Sequence, residues 1–193
     1  MRTRLAVTIA VTLLFTGIFS RAVETVSRPA AWAVKLDRPG LPNCFQLTTN
    51  FYRGAQPSAK GMAELKTLGV KSVVNLRTFH SDREKKSGTG LKREHIKMEP
   101  WQANDDVIRF LKIVADTNSL PVFVHCQRGA DRTGTMCAMY RIFFCGWTKA
   151  DALKEMKEGG FGFNPAWKNL VDYIEQADIE NLKRKIAEGS KQP

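Results

Sequence analysis

Residues 125–134 read His-Cys-Gln-Arg-Gly-Ala-Asp-Arg-Thr-Gly, which puts a thiol at Cys126 and a guanidinium at Arg132 with five residues between them. An apolar run, PVFVH at 121–125, comes directly before, and a helix-forming stretch at 133–145, apolar on nearly every side, comes directly after. A strand–loop–helix passage aims backbone N–H groups and the positive end of a helix at one point, an arrangement suited to a tetrahedral dianion. The same field, with a nearby Arg, lowers a thiol pKa and yields a thiolate nucleophile. The fork of Arg132 can grip two phosphoryl oxygens, and Gly129 permits the sharp turn that exposes the amides. A Cys-x5-Arg spacing alone is weak. His125 before it, Gly129 within it and Thr133-Gly134 after it make the signal specific.

The flanking sequence reads as an alternating α/β domain. Short strands are expected at Phe45–Thr48 and at residues 51–53, around the turn residue Asn50. Ser58 is a candidate N-cap for a helix with Met62, Leu65 and Leu68 at helical spacing, ended by Gly69. Residues 70–77 (VKSVVNLR) look like a buried strand, 81–90 like a charged loop, and 94–98 like a further strand. A helix starts at Asp105 or Asp106, with Val107, Ile108, Leu111 and Ile113 on its buried side. Beyond the 133–145 helix, Gly146 is a stop and Thr148 a cap for the next helix, which Gly159-Gly160 breaks. Asn164-Pro165 then opens a last helix carrying Trp167, Leu170, Val171, Ile174 and Leu182. This alternation predicts an α/β fold with a mainly parallel central sheet and helices on both faces, its ligand at the carboxyl ends of the strands.

The chain has 193 residues, 43% hydrophobic and 25% charged, enough for one ordinary domain with a real core. Its 14 Gly and 8 Pro follow no repeat, which excludes collagen-like and low-complexity classes. With 30 Lys and Arg against 19 Asp and Glu the net charge is +11, a balance that attracts polyanions without naming one. At the N-terminus, Arg2 and Arg4 precede Leu5 to Ser20, a stretch without charge that ends at Arg21. As a helix it would be about 24 Å long, short of a hydrocarbon core of roughly 30 Å, so an export signal is favoured over a stable span. We expect residues 1–22 to be a signal peptide or membrane anchor, 23–42 a linker and 43–193 the catalytic domain, exported to the periplasm or membrane-anchored. Membrane association would come through the N-terminal segment. Export would place Cys44, Cys126, Cys137 and Cys145 where disulfides can form; Cys137 and Cys145 are too far apart on one helix to pair and read as buried small hydrophobes.

The string at 125–133 resembles the HCxxGxxR[ST] signature of the cysteine-dependent protein tyrosine and dual-specificity phosphatases. Residues 51–57 (FYRGAQP), 68–77 (LGVKSVVNLR) and 121–132 resemble the atypical dual-specificity phosphatases of bacteria, plants and fungi, and the likeness covers about residues 43–180. The resemblance implies a protein tyrosine phosphatase-like fold with the loop between a central strand and a buried helix. It implies Cys126 as the nucleophile that forms a phosphocysteine. Arg132 and the amides of Gln127, Arg128, Gly129, Ala130, Asp131 and Arg132 would bind the phosphoryl group, and Thr133 would hydrogen-bond the departing sulfur. His125 would orient the loop. No metal and no cofactor is implied.

The resemblance also implies a general acid on a separate loop. Within EPWQANDD at 99–106, Asp105 is the residue chosen, Asp106 and Glu99 are its competitors, and a helix N-cap is the other reading of Asp105. Trp101 anchors that loop or flanks the substrate. Arg128 at the rim favours a second negative group, whereas Asp131 argues against a strict polyphosphate preference. Arg53, Arg77 and Lys85-Lys86 are further candidate cations, and residues 159–164 (GGFGFN) form a pocket wall or only a turn between helices. The expected substrate is a phosphorylated protein (phosphotyrosine, phosphoserine or phosphothreonine) or a small phosphorylated molecule such as an inositol phosphate; no nucleic acid partner is expected. A non-catalytic phosphate-binding module and an RNA 5′-phosphatase are the alternatives.

Overall fold

Four short runs rich in Val and Phe, at β3 (Phe51–Gly54), β4 (Ser72–Asn75), β6 (Val122–His125) and the amphipathic β2 (Phe45–Thr48), build the centre of a six-stranded sheet. β1 (Val34–Lys35) and β5 (Lys92–His95) close its edges, in the order β1-β2-β3-β6-β4-β5. The computed structural model describes residues 29–82, 88–99 and 104–188. β3/β6, β6/β4 and β4/β5 pair in parallel, while β1/β2 and β2/β3 are antiparallel. The sheet is thus mixed and mainly parallel, with the central strand β6 leading straight into Cys126.

Alternation along the strands sends side chains to two cores. Phe51, Val74, Val122 and Val124 join Phe110, Leu111, Met136, Met139, Leu170 and Ile174 on one face, from helices α2 (Asn104–Ala115), α3 (Asp131–Phe144) and α5 (Lys168–Gln176). Tyr52, Val73 and Phe123 join Met62 and Leu65 of α1 (Ala59–Thr67) on the other. Ser58 caps α1 by accepting from the Gly61 N–H at 3.1 Å, and Gly69 leaves the helix at φ +78°. Thr148 caps α4 (Lys149–Glu158) in the same manner, through the Asp151 N–H.

Three expectations are corrected. The strand expected at 94–98 lies at Lys92–His95: it is an edge strand paired only with β4, so its partly exposed side chains lack an apolar alternation. The single last helix is two, α5 and α6 (Ile179–Glu188), because Asp178 caps a new start by accepting from the Asn181 N–H at 3.0 Å. The folded unit also begins before residue 43, although a linker was expected over 23–42. Ala33 is fully buried, Leu41 is in the core, and β1 pairs with β2. The cause is a buried ion pair. Arg141 meets both carboxylate oxygens of Glu155 at 2.9 and 2.8 Å and donates to the Ala31 carbonyl, while Glu155 accepts the Ala33 N–H at 2.6 Å. Residues 1–28, Lys85, Lys86 and Trp101 lie outside the described residues.

Candidate active site

At the carboxyl end of β6 the chain turns through residues 126–130 and enters α3, whose first-turn N–H groups have no partner within the helix. Gly129 makes the turn possible twice over. Its φ is +71°, and a Cβ there would sit 2.3 Å from the backbone carbon of Gly54. The Gly129 N–H donates to Cys126 Sγ at 3.3 Å, folding the loop over the sulfur.

Cys126 is buried at 3% exposure. Burial opposes its ionisation, but the hydroxyl and N–H of Thr133, the charge of Arg132 and the Gly129 N–H outweigh that penalty and hold the thiol below its ordinary range. The Thr133 hydroxyl is buried and completes no hydrogen bond of full geometry, so its pull on the sulfur is a loose approach. Burial instead pushes the thiols of Cys44 and Cys137 up to about 11, as expected of small core residues. All four cysteines are free.

Arg132 is half-buried, and its Nη1 donates to the carbonyls of Leu76 at 3.2 Å and Met98 at 3.3 Å, which fixes the guanidinium beside the loop. Gln127 and Arg128 are exposed, Ala130 and Asp131 buried. Asp131 accepts the Asn164 N–H at 2.8 Å and lies 3.6 Å from the Arg128 guanidinium. A cleft of about 100 Å³ over the sulfur is lined by Cys126, Gln127, Arg128, Asp131, Arg132 and Trp167.

The loop has a built support that sequence reasoning only touched. Arg53 was a candidate pocket cation; it is instead 1% exposed, donating from behind to the carbonyl of Gly129 at 2.7 Å and stacking on Phe161 at 3.7 Å. Its signal was an Arg inside an otherwise buried strand. Arg77 turns to Gln56, and Gln56 Nε2 donates to Asp82. His125 is buried between Asp82 and the Cys126 carbonyl. Asn43, which nothing in the sequence marked, bridges the carbonyls of Arg128 and Phe161 at 2.9 Å each.

The three carboxylates proposed for proton transfer lie on or near the start of α2, at the same end of the sheet. Asp105 is exposed and lines a groove with Tyr173, Asp178 and Lys185 rather than the Cys126 cleft. Asp106 is half-buried; burial, then Asp105, raise its pKa, with Arg109 opposing and Glu99 adding to the rise. Glu99 directly follows Met98, whose carbonyl receives Arg132. No group of His, Cys, Asp and Glu able to hold a metal occurs among the described residues, and none of their helices is long and apolar enough to cross a membrane.

Residues 42–166 match the family described as DSP-PTPase phosphatase fused to NAD+ kinase. The chain is 34% identical over 185 residues to the dual specificity protein phosphatase TpbA of Pseudomonas aeruginosa, covering 93% of this chain and 82% of that one. It is 26% identical over 156 residues to the inositol diphosphatase DSP3 of Arabidopsis thaliana, covering 74% of each. The crystal structure of P. aeruginosa TpbA in complex with pTyr superposes with a TM-score of 0.73 at 32% identity, over 83% of this chain and 99% of that one. With a family match over residues 42–166, 34% identity to TpbA and the TpbA fold, the chain belongs to the atypical dual-specificity branch of the cysteine-dependent phosphatases.

Proposed function

We propose that Cys126 is the nucleophile of a phosphate monoesterase that acts on phosphotyrosine in proteins or on a small phosphorylated molecule. The observation that carries this is the Cys126 sulfur, capped by the Gly129 N–H and held below the usual thiol range at the bottom of a cleft beside Arg132. The thiolate attacks phosphorus, the P–O bond to the leaving group breaks, and a phosphocysteine forms. Water then attacks that phosphorus, the S–P bond breaks, and the thiolate returns with inorganic phosphate released. Arg132 and the loop amides neutralise the equatorial oxygens in both steps. Thr133 stabilises the sulfur as it leaves.

The leaving oxygen needs a proton; we assign its delivery to Asp105, exposed on the first turn of α2 in the groove beside Tyr173, with Glu99, next to the Met98 carbonyl that receives Arg132, as the competing donor. Its neighbour Asp106 carries a pKa raised first by burial and then by the Asp105 charge, so Asp106 itself retains a proton to higher pH than a lone carboxyl would. The TpbA–pTyr complex supports a phosphotyrosine substrate, and the Arabidopsis relative supports an inositol phosphate as the second reading. We read residues 1–22 as an export signal or anchor, which cell fractionation of the full chain tests.

The deciding experiment is hydrolysis of p-nitrophenyl phosphate by the full chain under reducing conditions, beside Cys126→Ser. Turnover in the parent and none in the variant is expected. A folded parent that binds phosphate without turnover would make the protein a phosphate-binding module.

A further inference from the structure

Five of the six residues lining the cleft over Cys126 belong to the loop or the first turn of α3. The sixth, Trp167, comes from the segment that joins α4 to α5. The cleft is small, about 100 Å³ among the described residues. The group that carries the phosphate leaves along the cleft wall, where Trp167 is the one aromatic side chain among the described residues.

Trp167 is not there by accident of a loose loop. Asp131 accepts the Asn164 N–H at 2.8 Å, and the Trp167 N–H donates to the Asn164 carbonyl at 3.1 Å. Asn43 ties the same segment to the loop a second time, through Phe161 and Arg128. The indole packs in part against the main core. The residue that begins α3 thus holds the tryptophan-bearing segment in place.

The charge of the rim points the same way. Arg128 is 68% exposed, and its guanidinium faces the Asp131 carboxylate at 3.6 Å, which cancels much of its field. Arg132 is the other cation lining the cleft among the described residues, and the reacting phosphoryl group uses it. A second phosphate on the same ligand would approach the Asp131 carboxylate. An aromatic leaving group meets no such penalty and gains an indole surface.

We infer that Trp167, positioned by Asp131, is the specificity residue of this phosphatase, selecting aryl phosphates over alkyl phosphates and over clustered polyphosphates. This rests on the phosphatase reading of the same cleft and chooses between its two substrate classes.

The test compares kcat/KM of the full chain on a phosphotyrosine peptide, the same peptide with phosphoserine, and inositol hexakisphosphate. Trp167→Ala lowers the phosphotyrosine value by about 10-fold, in keeping with the loss of one aromatic pair, and changes the phosphoserine value by no more than about twofold. Trp167→Phe keeps most of the phosphotyrosine activity, and Asp131→Ala, which removes the acceptor of the Asn164 N–H, reproduces the selective loss. Equal losses on all three substrates in both tryptophan variants, or a wild type that prefers inositol hexakisphosphate, overturn the assignment while leaving the phosphatase intact. No hydrolysis of any of them by folded wild type removes the phosphatase reading itself, and this assignment with it.

Discussion

His125 Nε2 lies 2.9 Å from Asp82 Oδ2, with the two side chains 0% and 3% exposed, while His125 Nδ1 lies 3.1 Å from the Cys126 carbonyl. The ring is thus held at both nitrogens, one by a carboxylate from the end of the β4 loop and one by the nucleophile's own backbone. Asp82 is in turn fixed by Gln56, and the Gln56 N–H reaches the Gln127 carbonyl at 3.2 Å. Loss of either partner leaves a buried polar group unpaired, at a cost of about 1–3 kcal/mol. Asp82→Ala should lower Tm by roughly 2–10 °C for a chain of this size. It should also reduce kcat more than it raises KM, since the loop rather than the substrate is disturbed. Calorimetry and steady-state kinetics read both.

Alkylation should favour Cys126 over the buried Cys44 and Cys137. Its depressed pKa keeps it a thiolate below the ordinary value of 9.0, whereas burial holds Cys44 and Cys137 near 11. The iodoacetamide rate rises with pH as the thiolate forms, so its midpoint lies under 9.0 in the wild type. Thr133→Ala or Arg132→Gln removes part of the stabilisation and moves that midpoint upward. Mass-spectrometric mapping across pH 4–10 would show an unmoved midpoint if the two residues do not act on the sulfur.

Gly129→Ala should be inactive yet folded. The new methyl meets the backbone of Gly54 at 2.3 Å and the residue must keep φ near +71°, so the loop has to shift. A displacement on the order of 1 Å costs about 10²-fold in rate. Circular dichroism should remain native while kcat falls by at least that factor.

Proton transfer separates from nucleophilic attack by leaving group. Asp105→Asn should lower kcat about 10²–10⁴-fold on phosphotyrosine, whose phenol leaves poorly, and far less on a nitrophenyl ester. If Glu99→Gln shows the leaving-group signature instead, the donor is Glu99.

Glu155→Gln should unfold the protein more readily than any change in the cleft. It leaves Arg141 without its carboxylate at 4% exposure, a loss of about 3–5 kcal/mol for breaking a buried pair from one side. It also weakens the acceptor of the Ala33 N–H, so β1 should exchange its amides faster. Urea unfolding and hydrogen exchange measure the two effects.

Local chemistry was legible in the sequence: Cys126, Arg132 and Gly129 stand close together, and the apolar strand before them and the apolar helix after them announce the turn between. The caps at Ser58 and Thr148 were legible for the same reason, since each acts on an N–H three residues away. What needed the fold were the long-range partners. Arg53 is 76 residues from the Gly129 carbonyl it supports, Asp82 is 43 residues from His125, and Arg141 reaches 110 residues back to Ala31. No periodicity encodes such pairs, because hydrogen bonds between elements depend on strand order and register. Trp167 shows the difference most directly. Its spacing with Leu170 and Ile174 marks it as core, and the half of it that packs there agrees. Only the hydrogen bond from Asn164 to Asp131, made once the sheet and helices are assembled, brings it to the cleft over Cys126.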